Sequence, residues 1–284
     1  MKIKAINAKD VMPVKVFEVS NLTDIVVIAG ANGVGKTRLI NAVINKLRGG
    51  AENISFIIEA TIDEERKDWG KSVLDTSHIE DQRKLLLTLQ KKRYRSNLKS
   101  TVILFESNRG FDKIKPLAFA FSFNDPYQEE TAWDLPFSTY TARRQDTFHS
   151  ILKKVQGQNN QIADKAKELM VSGEATMDLD FPDPLEPFKK AFSSLLSPKK
   201  LIEADLQKQT LFFEHEGQKL PLEALSSGER EVVNITFDLI LRNPSDAVIV
   251  FDEPEVHLHP ELVQKLVQTL ATIGERNQFI FCTH

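Results

Sequence analysis

Cys282 is the one cysteine in 284 residues. That excludes an intramolecular disulfide framework and suits a reducing cytosol. It follows Phe279, Ile280 and Phe281, so the thiol reads as core packing. Long apolar runs are also lacking. No stretch approaches the roughly 18 residues of a membrane span. Met1-Lys2-Ile3-Lys4 alternates like a strand, without the apolar block of a signal peptide. A cytoplasmic chain with no membrane partner is expected. Charge of one sign is scarce too: 37 Lys and Arg stand against 40 Asp and Glu, a formal net charge of −3. Nothing global therefore favours nucleic acid or an anionic membrane surface. With 41% hydrophobic residues, the chain can bury one large core and a small second lobe.

Three short segments carry the chemistry. Gly30-Ala31-Asn32-Gly33-Val34-Gly35-Lys36-Thr37 fits the phosphate-binding pattern G-x-x-x-x-G-K-[ST]. The glycines let backbone N–H groups turn inward on β- and γ-phosphates, Lys36 adds a point charge, and Thr37 supplies a magnesium ligand. Asp24–Ala29 before it reads as a buried parallel strand, and Leu39, Ile40, Val43, Ile44 and Leu47 recur at helical spacing until Gly49-Gly50 stops them. The helix N-terminus then faces the phosphates. A plain glycine turn would leave Lys36 unexplained in an apolar setting. In the second segment, the apolar strand Val248–Phe251 ends in Asp252, suited to hold a metal through water, and Glu253, suited to orient an attacking water. Leu225-Ser226-Ser227-Gly228-Glu229-Arg230, the third, precedes a helical stripe of Val232, Val233, Phe237, Ile240 and Leu241 that Asn243-Pro244 ends. Ordinary capping accounts for a Ser/Gly cluster there. The same helix start also favours a γ-phosphate at Ser226 and the Gly228 N–H.

Taken in this order, the segments resemble ATP-binding-cassette (ABC) ATPases, in which Leu-Ser-Ser-Gly-Glu would be the signature segment that completes the nucleotide site of a partner subunit. The acidic strand runs on into Pro254-Glu255-Val256-His257-Leu258-His259-Pro260. That continuation departs from transporter cassettes and looks like the RecF, SMC-like and OLD (overcoming lysogenization defect) group. The resemblance implies an α/β P-loop NTPase with an ABC-ATPase-like core: a mixed central sheet, N-terminal antiparallel strands and a short helical lobe. It implies ATP and Mg2+ as ligands and an ATP-dependent head-to-tail homodimer. The role implied is anti-phage defence or DNA repair, with an effector or nuclease as further partner and nucleic acid as another. An ATP-gated scaffold that holds and releases an effector, turning over slowly, is the alternative. Val256–His259 would cross the dimer interface, and His284, just after an apolar strand, would contact the γ-phosphate. Glu253 and His284 are thus the expected catalytic pair, Thr37 and Asp252 the metal residues, and Ser226, Gly228 and Glu229 the trans nucleotide contacts. A zinc site at His257, His259 and Glu255 is a competing reading of the same loop.

Elsewhere, Lys2–Ile6 and Val14–Val19 read as strands that resemble the adenine-cradling edge sheet of this group, followed by strands Ile54–Ala60 and Thr101–Phe105. Ser77-x-x-Glu80 is a capping-box pattern. Lys91, Lys92, Arg93, Arg95 and Lys99, with Tyr94 among them, form a basic cluster: a solvated helix end or a nucleic-acid patch. Leu117, Phe119, Phe121 and Phe123 alternate like a strand. Residues 142–197 turn helical, with one helix at Phe148–Val155, a second at Ile162–Met170 and a third at Phe188–Leu196, forming a lobe inserted between core halves 1–141 and 198–284. A hairpin of Leu201–Leu206 and Leu211–Glu214, with a Glu216-Gly217 turn, leads back to the signature segment. For the magnesium-sensing glutamine of this group, Gln145 and the Glu106–Arg109 loop both stand near the junction. By resemblance the polypeptide is expected to continue past His284.

Overall fold

The computed structural model describes residues 1–90, 99–107, 117, 140–172, 181–256 and 258–284. Strands β1 (Lys2–Val11), β2 (Val14–Val19), β4 (Ile54–Glu59) and β5 (Val73–Asp75) form an antiparallel sheet in the order β2-β1-β4-β5. A second sheet has the order β3-β11-β10-β6, from β3 (Ile25–Ala29), β11 (Gln278–Thr283), β10 (Val248–Asp252) and β6 (Val102–Phe105), and every pairing in it is parallel. The expected mixed core therefore consists of two sheets of different type. They are tied together by Gln278, which is fully buried: its amide accepts from the Ile3 N–H at 2.8 Å and donates to the carbonyls of Ile3 and Thr23 at 2.8 and 2.9 Å.

Alternation along β10 sorts its side chains to the two faces of the parallel sheet. Val248 and Val250 join one core with α1 (Lys36–Leu47) and the antiparallel sheet, while Ile249 and Phe251 join another with the later helices. Burial on both faces explains why β10 and β11 are nearly continuous apolar runs. β3 departs from the expected buried strand. Parallel it is, but among the described residues it pairs only with β11, and Ile25 and Val27 are 49% and 60% exposed.

The helical face is built from α4 (Tyr140–Ser172), α5 (Glu186–Leu196), α6 (Ser227–Arg242) and α7 (Pro260–Leu270). Phe148, Ile151, Phe188 and Phe192 belong to the same cluster as Phe105, Phe251 and Phe281, so the inserted helices share one core with the sheet. Where two helices were expected on either side of Gly157, α4 runs unbroken for 33 residues, roughly 50 Å at 1.5 Å per residue. A lone glycine costs a helix only about 1 kcal/mol, and no proline follows it to stop the helix.

Two shorter helices, α2 (Asp63–Trp69) and α3 (Ile79–Gln90), flank β5. The Ser77 capping box is not formed, since the Ser77 N–H and hydroxyl both donate to Asp75 Oδ1, at 3.0 and 2.7 Å. This local turn competes with capping. The return hairpin is a three-stranded antiparallel sheet of β7 (Lys200–Asp205), β8 (Thr210–His215) and β9 (Gln218–Pro221). Glu216 and Gly217, with φ of 52° and 74°, make the two-residue turn from β8 to β9. The basic residues Lys91–Arg95, the strand expected over Phe119–Phe123, Arg109 and His257 lie outside the described residues. Among the described residues, no helix is long and apolar enough to cross a membrane.

Candidate nucleotide site

Parallel strands place their C-terminal ends on one edge of the sheet, and that edge assembles the site. β3 ends at Ala29 and the chain turns through Gly30–Gly35 into α1. Gly35 is the residue before the helix, with φ of 99°, and a Cβ there would lie 2.7 Å from Pro13 Cγ. The turn between β1 and β2 thus packs directly on the loop, at a position open only to glycine. Lys36 is 7% exposed, and its Nζ donates to the carbonyls of Gly30 at 2.6 Å and Ala31 at 3.1 Å. Asn32, Gly33 and Val34 form the exposed crown of the loop.

From the neighbouring strands come the acids and the histidine. Asp252, 3% exposed at the end of β10, accepts from the Thr37 hydroxyl at 3.3 Å. A hydroxyl beside a buried carboxylate is a hard-oxygen pair of the kind that suits magnesium. Glu253 adopts φ of 50°, and its N–H donates to the Cys282 carbonyl at 2.8 Å. This left-handed turn aims the carboxylate along the sheet edge, where Oε1 lies 3.6 Å from His284 Nε2. His284 Nδ1 is 3.5 Å from Lys36 Nζ. Lysine, histidine and glutamate, separated by up to 248 residues in sequence, converge in one row.

Of the two candidates for the sensing position, Glu106 follows Phe105, the last residue of β6 to pair with β10, whereas Gln145 lies within α4. Cys282 is buried in the strand between, and burial, with Asp252 beside it, pushes its thiol up to about 12, so it is inert as a nucleophile. Among the described residues no group of three or more His, Cys, Asp or Glu could hold a metal, and His259 is the exposed residue that opens α7.

The signature segment lies apart from this row. Ser226 caps α6, its Oγ accepting from the Glu229 N–H at 3.3 Å, while Glu229 Oε2 accepts from the Ser226 N–H and hydroxyl at 3.0 Å each. The local capping expected of such a sequence is therefore present. Glu229 Oε1 also pairs with Lys199 at 2.6 Å. Burial alone raises the Glu229 carboxyl, but the bonds from Lys199 and Ser226 outweigh it and hold the pKa below the ordinary range. Ser226, Gly228 and Glu229 line a groove of about 670 Å³ together with Lys199, His259 and Lys265. None of Gly30–Thr37, Asp252, Glu253 or His284 lines that groove.

Sequence patterning assigns Glu255 only to the competing zinc reading, not to the contacts it makes. Its Oε1 accepts from the Thr283 hydroxyl at 2.6 Å and the His284 N–H at 2.8 Å. Pro13 and Lys199 were likewise unforeseen, because each matters through a contact distant in sequence.

Comparison with known proteins agrees with this fold. Over the whole chain the fold is similar to an SMC head solved with the C-winged helix domain of ScpA, at a TM-score of 0.53 and 13% identity, covering 100% of this chain and 90% of that one. In sequence, the chain is 28% identical over 103 residues to the Septu protein PtuA of Bacillus mycoides (strain KBAB4). That match takes in 34% of this chain and spans only 14% of that relative's length. Residues 25–284 match the model of one family, and the chain belongs to it: the P-loop family described as "AAA domain, putative AbiEii toxin, Type IV TA system".

Proposed function

We propose that the chain is a magnesium-dependent ATP hydrolase whose two nucleotide sites are each shared between the subunits of a head-to-tail dimer, acting in anti-phage defence. The observation that carries this reading is the division of the motif residues. Lys36, Thr37, Asp252, Glu253 and His284 share one sheet edge, while Ser226 and Gly228 face a separate groove. A second copy, turned head to tail, would bring its groove onto that edge.

In each site the loop N–H groups of Gly30–Gly35 and the Lys36 ammonium hold the β- and γ-phosphates, so Lys36 must exchange its carbonyl partners for phosphate oxygens. Thr37 and Asp252 fit a magnesium ion, which on binding neutralises charge developing on the transferred phosphoryl group. Glu253 orients the attacking water and accepts its proton, and His284 holds the γ-phosphate. From the partner, Ser226 and the Gly228 N–H meet the same phosphate at the start of α6, where the helix dipole favours negative charge. Defence as the setting rests on the resemblance of Asp252–Pro260 to the OLD group and on the likeness to PtuA.

Glu253→Gln tests the assignment. The amide cannot take the proton, so turnover should fall by about 10²-fold or more while ATP still binds. The variant should then accumulate as an ATP-dependent dimer on size-exclusion chromatography. Wild-type turnover in Glu253→Gln removes Glu253 from the mechanism. Loss of phage protection in Lys36→Ala cells, against protection by the wild type, checks the biological setting.

A further inference from the structure

The segment Glu253–His259 leaves the catalytic row and leads into α7, and on the function proposed above it is the stretch that meets the partner subunit. It is not independent of the row. Within the segment, the Val256 N–H donates to the Glu253 carbonyl at 3.2 Å and the Leu258 N–H to the Glu255 carbonyl at 2.9 Å, so Glu253–Val256 is a compact turn. The Glu255 side chain ties the segment to the end of β11 and the residue after it: its Oε1 accepts from the Thr283 hydroxyl and from the His284 N–H. Burial by itself raises the Glu255 carboxyl, but these bonds reverse the effect and keep its pKa below the ordinary range. The carboxylate is therefore ionised near neutrality, and both bonds are charge-assisted, about twice as strong as neutral ones.

We propose that Glu255 is a positioning residue that couples the interface turn to His284: its carboxylate holds the Thr283 hydroxyl and the backbone N–H of His284, and so sets the imidazole between Lys36 and Glu253 according to the path of the turn. The ring is held by the backbone at residue 284 and by the contacts at 3.5 and 3.6 Å to Lys36 and Glu253. A shift of the turn when a partner docks is carried through the carboxylate to the backbone of His284. Displacements of about 1 Å in a reacting array are enough to change rates tenfold or more. Docking of the second subunit is thereby linked to catalysis at a residue that neither contacts phosphate nor belongs to the phosphate loop.

The inference rests on the proposed hydrolase function, and the test separates the two. Steady-state ATPase kinetics are measured for Glu255→Ala and Glu255→Gln, each in the wild-type and His284→Ala backgrounds. Glu255→Ala should lower kcat about tenfold with KM for ATP changed less than about twofold. Glu255→Gln keeps an acceptor oxygen in place and should restore kcat to within about twofold of wild type. In the His284→Ala background, Glu255→Ala should cost less than about twofold, because two residues that act as one unit are not additive. Should Glu255→Ala fold poorly by circular dichroism, Thr283→Val removes one of the two donors and should show a smaller kcat loss that again vanishes without His284. Equal losses in both backgrounds, or a Gln variant as slow as Ala, overturn the coupling. Wild-type turnover that depends on Glu253 but ignores Glu255 sinks this inference alone, whereas absence of wild-type turnover sinks both.

Discussion

Gly35 and Gly33 both have positive φ in the same loop, yet substituting them should have different consequences. At Gly33, φ is 79° and an added Cβ would meet nothing within 4 Å. Gly33→Ala should therefore lose only the backbone term, roughly 1–2 kcal/mol for a left-handed alanine. At Gly35, φ is 99° and the Cβ would fall 2.7 and 2.9 Å from Pro13 Cγ and Cδ and 3.1 Å from Val14 Cγ2. Overpacking of this kind adds roughly 1–3 kcal/mol, so Gly35→Ala should lose about 2–5 kcal/mol in all. Urea unfolding followed by circular dichroism measures both. Isothermal titration with ATP should in addition show weaker binding for Gly35→Ala, since relief of the clash pushes the loop N–H groups off their aim. Pro13→Ala deletes the two nearest contact atoms and should recover about 1 kcal/mol or more of the Gly35→Ala loss in a double-mutant cycle. Equal losses at the two glycines, or a cycle with no coupling, would refute the claim that the β1–β2 turn shapes the phosphate loop.

Two further expectations concern the frame around the site. Gln278→Leu leaves the buried Ile3 N–H and carbonyl without their side-chain partner, at about 1–3 kcal/mol for each orphaned group, so urea unfolding should show a loss of about 2–6 kcal/mol even though leucine is of similar size. Asp246 is buried; burial alone raises its carboxyl, but bonds from Arg276 at 2.9 and 2.7 Å, with Thr61 and the N-terminal ammonium, hold it below the ordinary range. A carboxyl depressed on folding stabilises fully above its unfolded pKa, about 4, and loses that contribution as pH falls through the folded value. The stability gap between wild type and Arg276→Met should therefore narrow below about pH 4, and a gap independent of pH would contradict the assignment.

The phosphate loop and the acidic strand were legible because their chemistry is consecutive: eight residues from Gly30 to Thr37 and the pair Asp252-Glu253 carry their own spacing. Burial was less legible. Ile25–Ala29 is as apolar as Val248–Phe251, yet one strand pairs on one side among the described residues and the other on both. An apolar run fixes only that a face is covered somewhere, not how many neighbours a strand has. The two helices expected at Phe148–Val155 and Ile162–Met170 are one, because the intervening Gly157 weakens a helix without stopping it, and the packing of Phe148, Ile151 and Leu152 against the core outweighs that cost. Glu255 stands within a recognisable segment, but its partners Thr283 and His284 lie beyond the following helix and strand, and periodicity carries no information about such contacts.

Whether two copies share each site can be decided by mixing two inactive proteins. Lys36→Ala removes the fixed cation of the phosphate row, a group whose Nζ otherwise lies among the loop carbonyls and 3.5 Å from His284. Ser226→Arg leaves that row untouched and instead fills the groove lined by Ser226, Gly228, Lys199 and His259. Each variant alone should bind or fail to bind ATP differently, Ser226→Arg retaining affinity and Lys36→Ala losing it, yet neither should turn over. In a heterodimer, one site pairs the intact Lys36 of one subunit with the intact Ser226 of the other, and the second site carries both lesions. Random assortment of equal amounts gives heterodimers as about half of all dimers, each with one working site of two, so about a quarter of wild-type activity should return. Raising the share of either variant should lower the recovery, because the heterodimer fraction peaks at equal mixing. If each chain instead completed its own site, no subunit in the mixture would carry both Lys36 and Ser226, and activity would stay at the level of the separate variants. No recovery under conditions where cross-linking demonstrates heterodimers would therefore rule out the shared site.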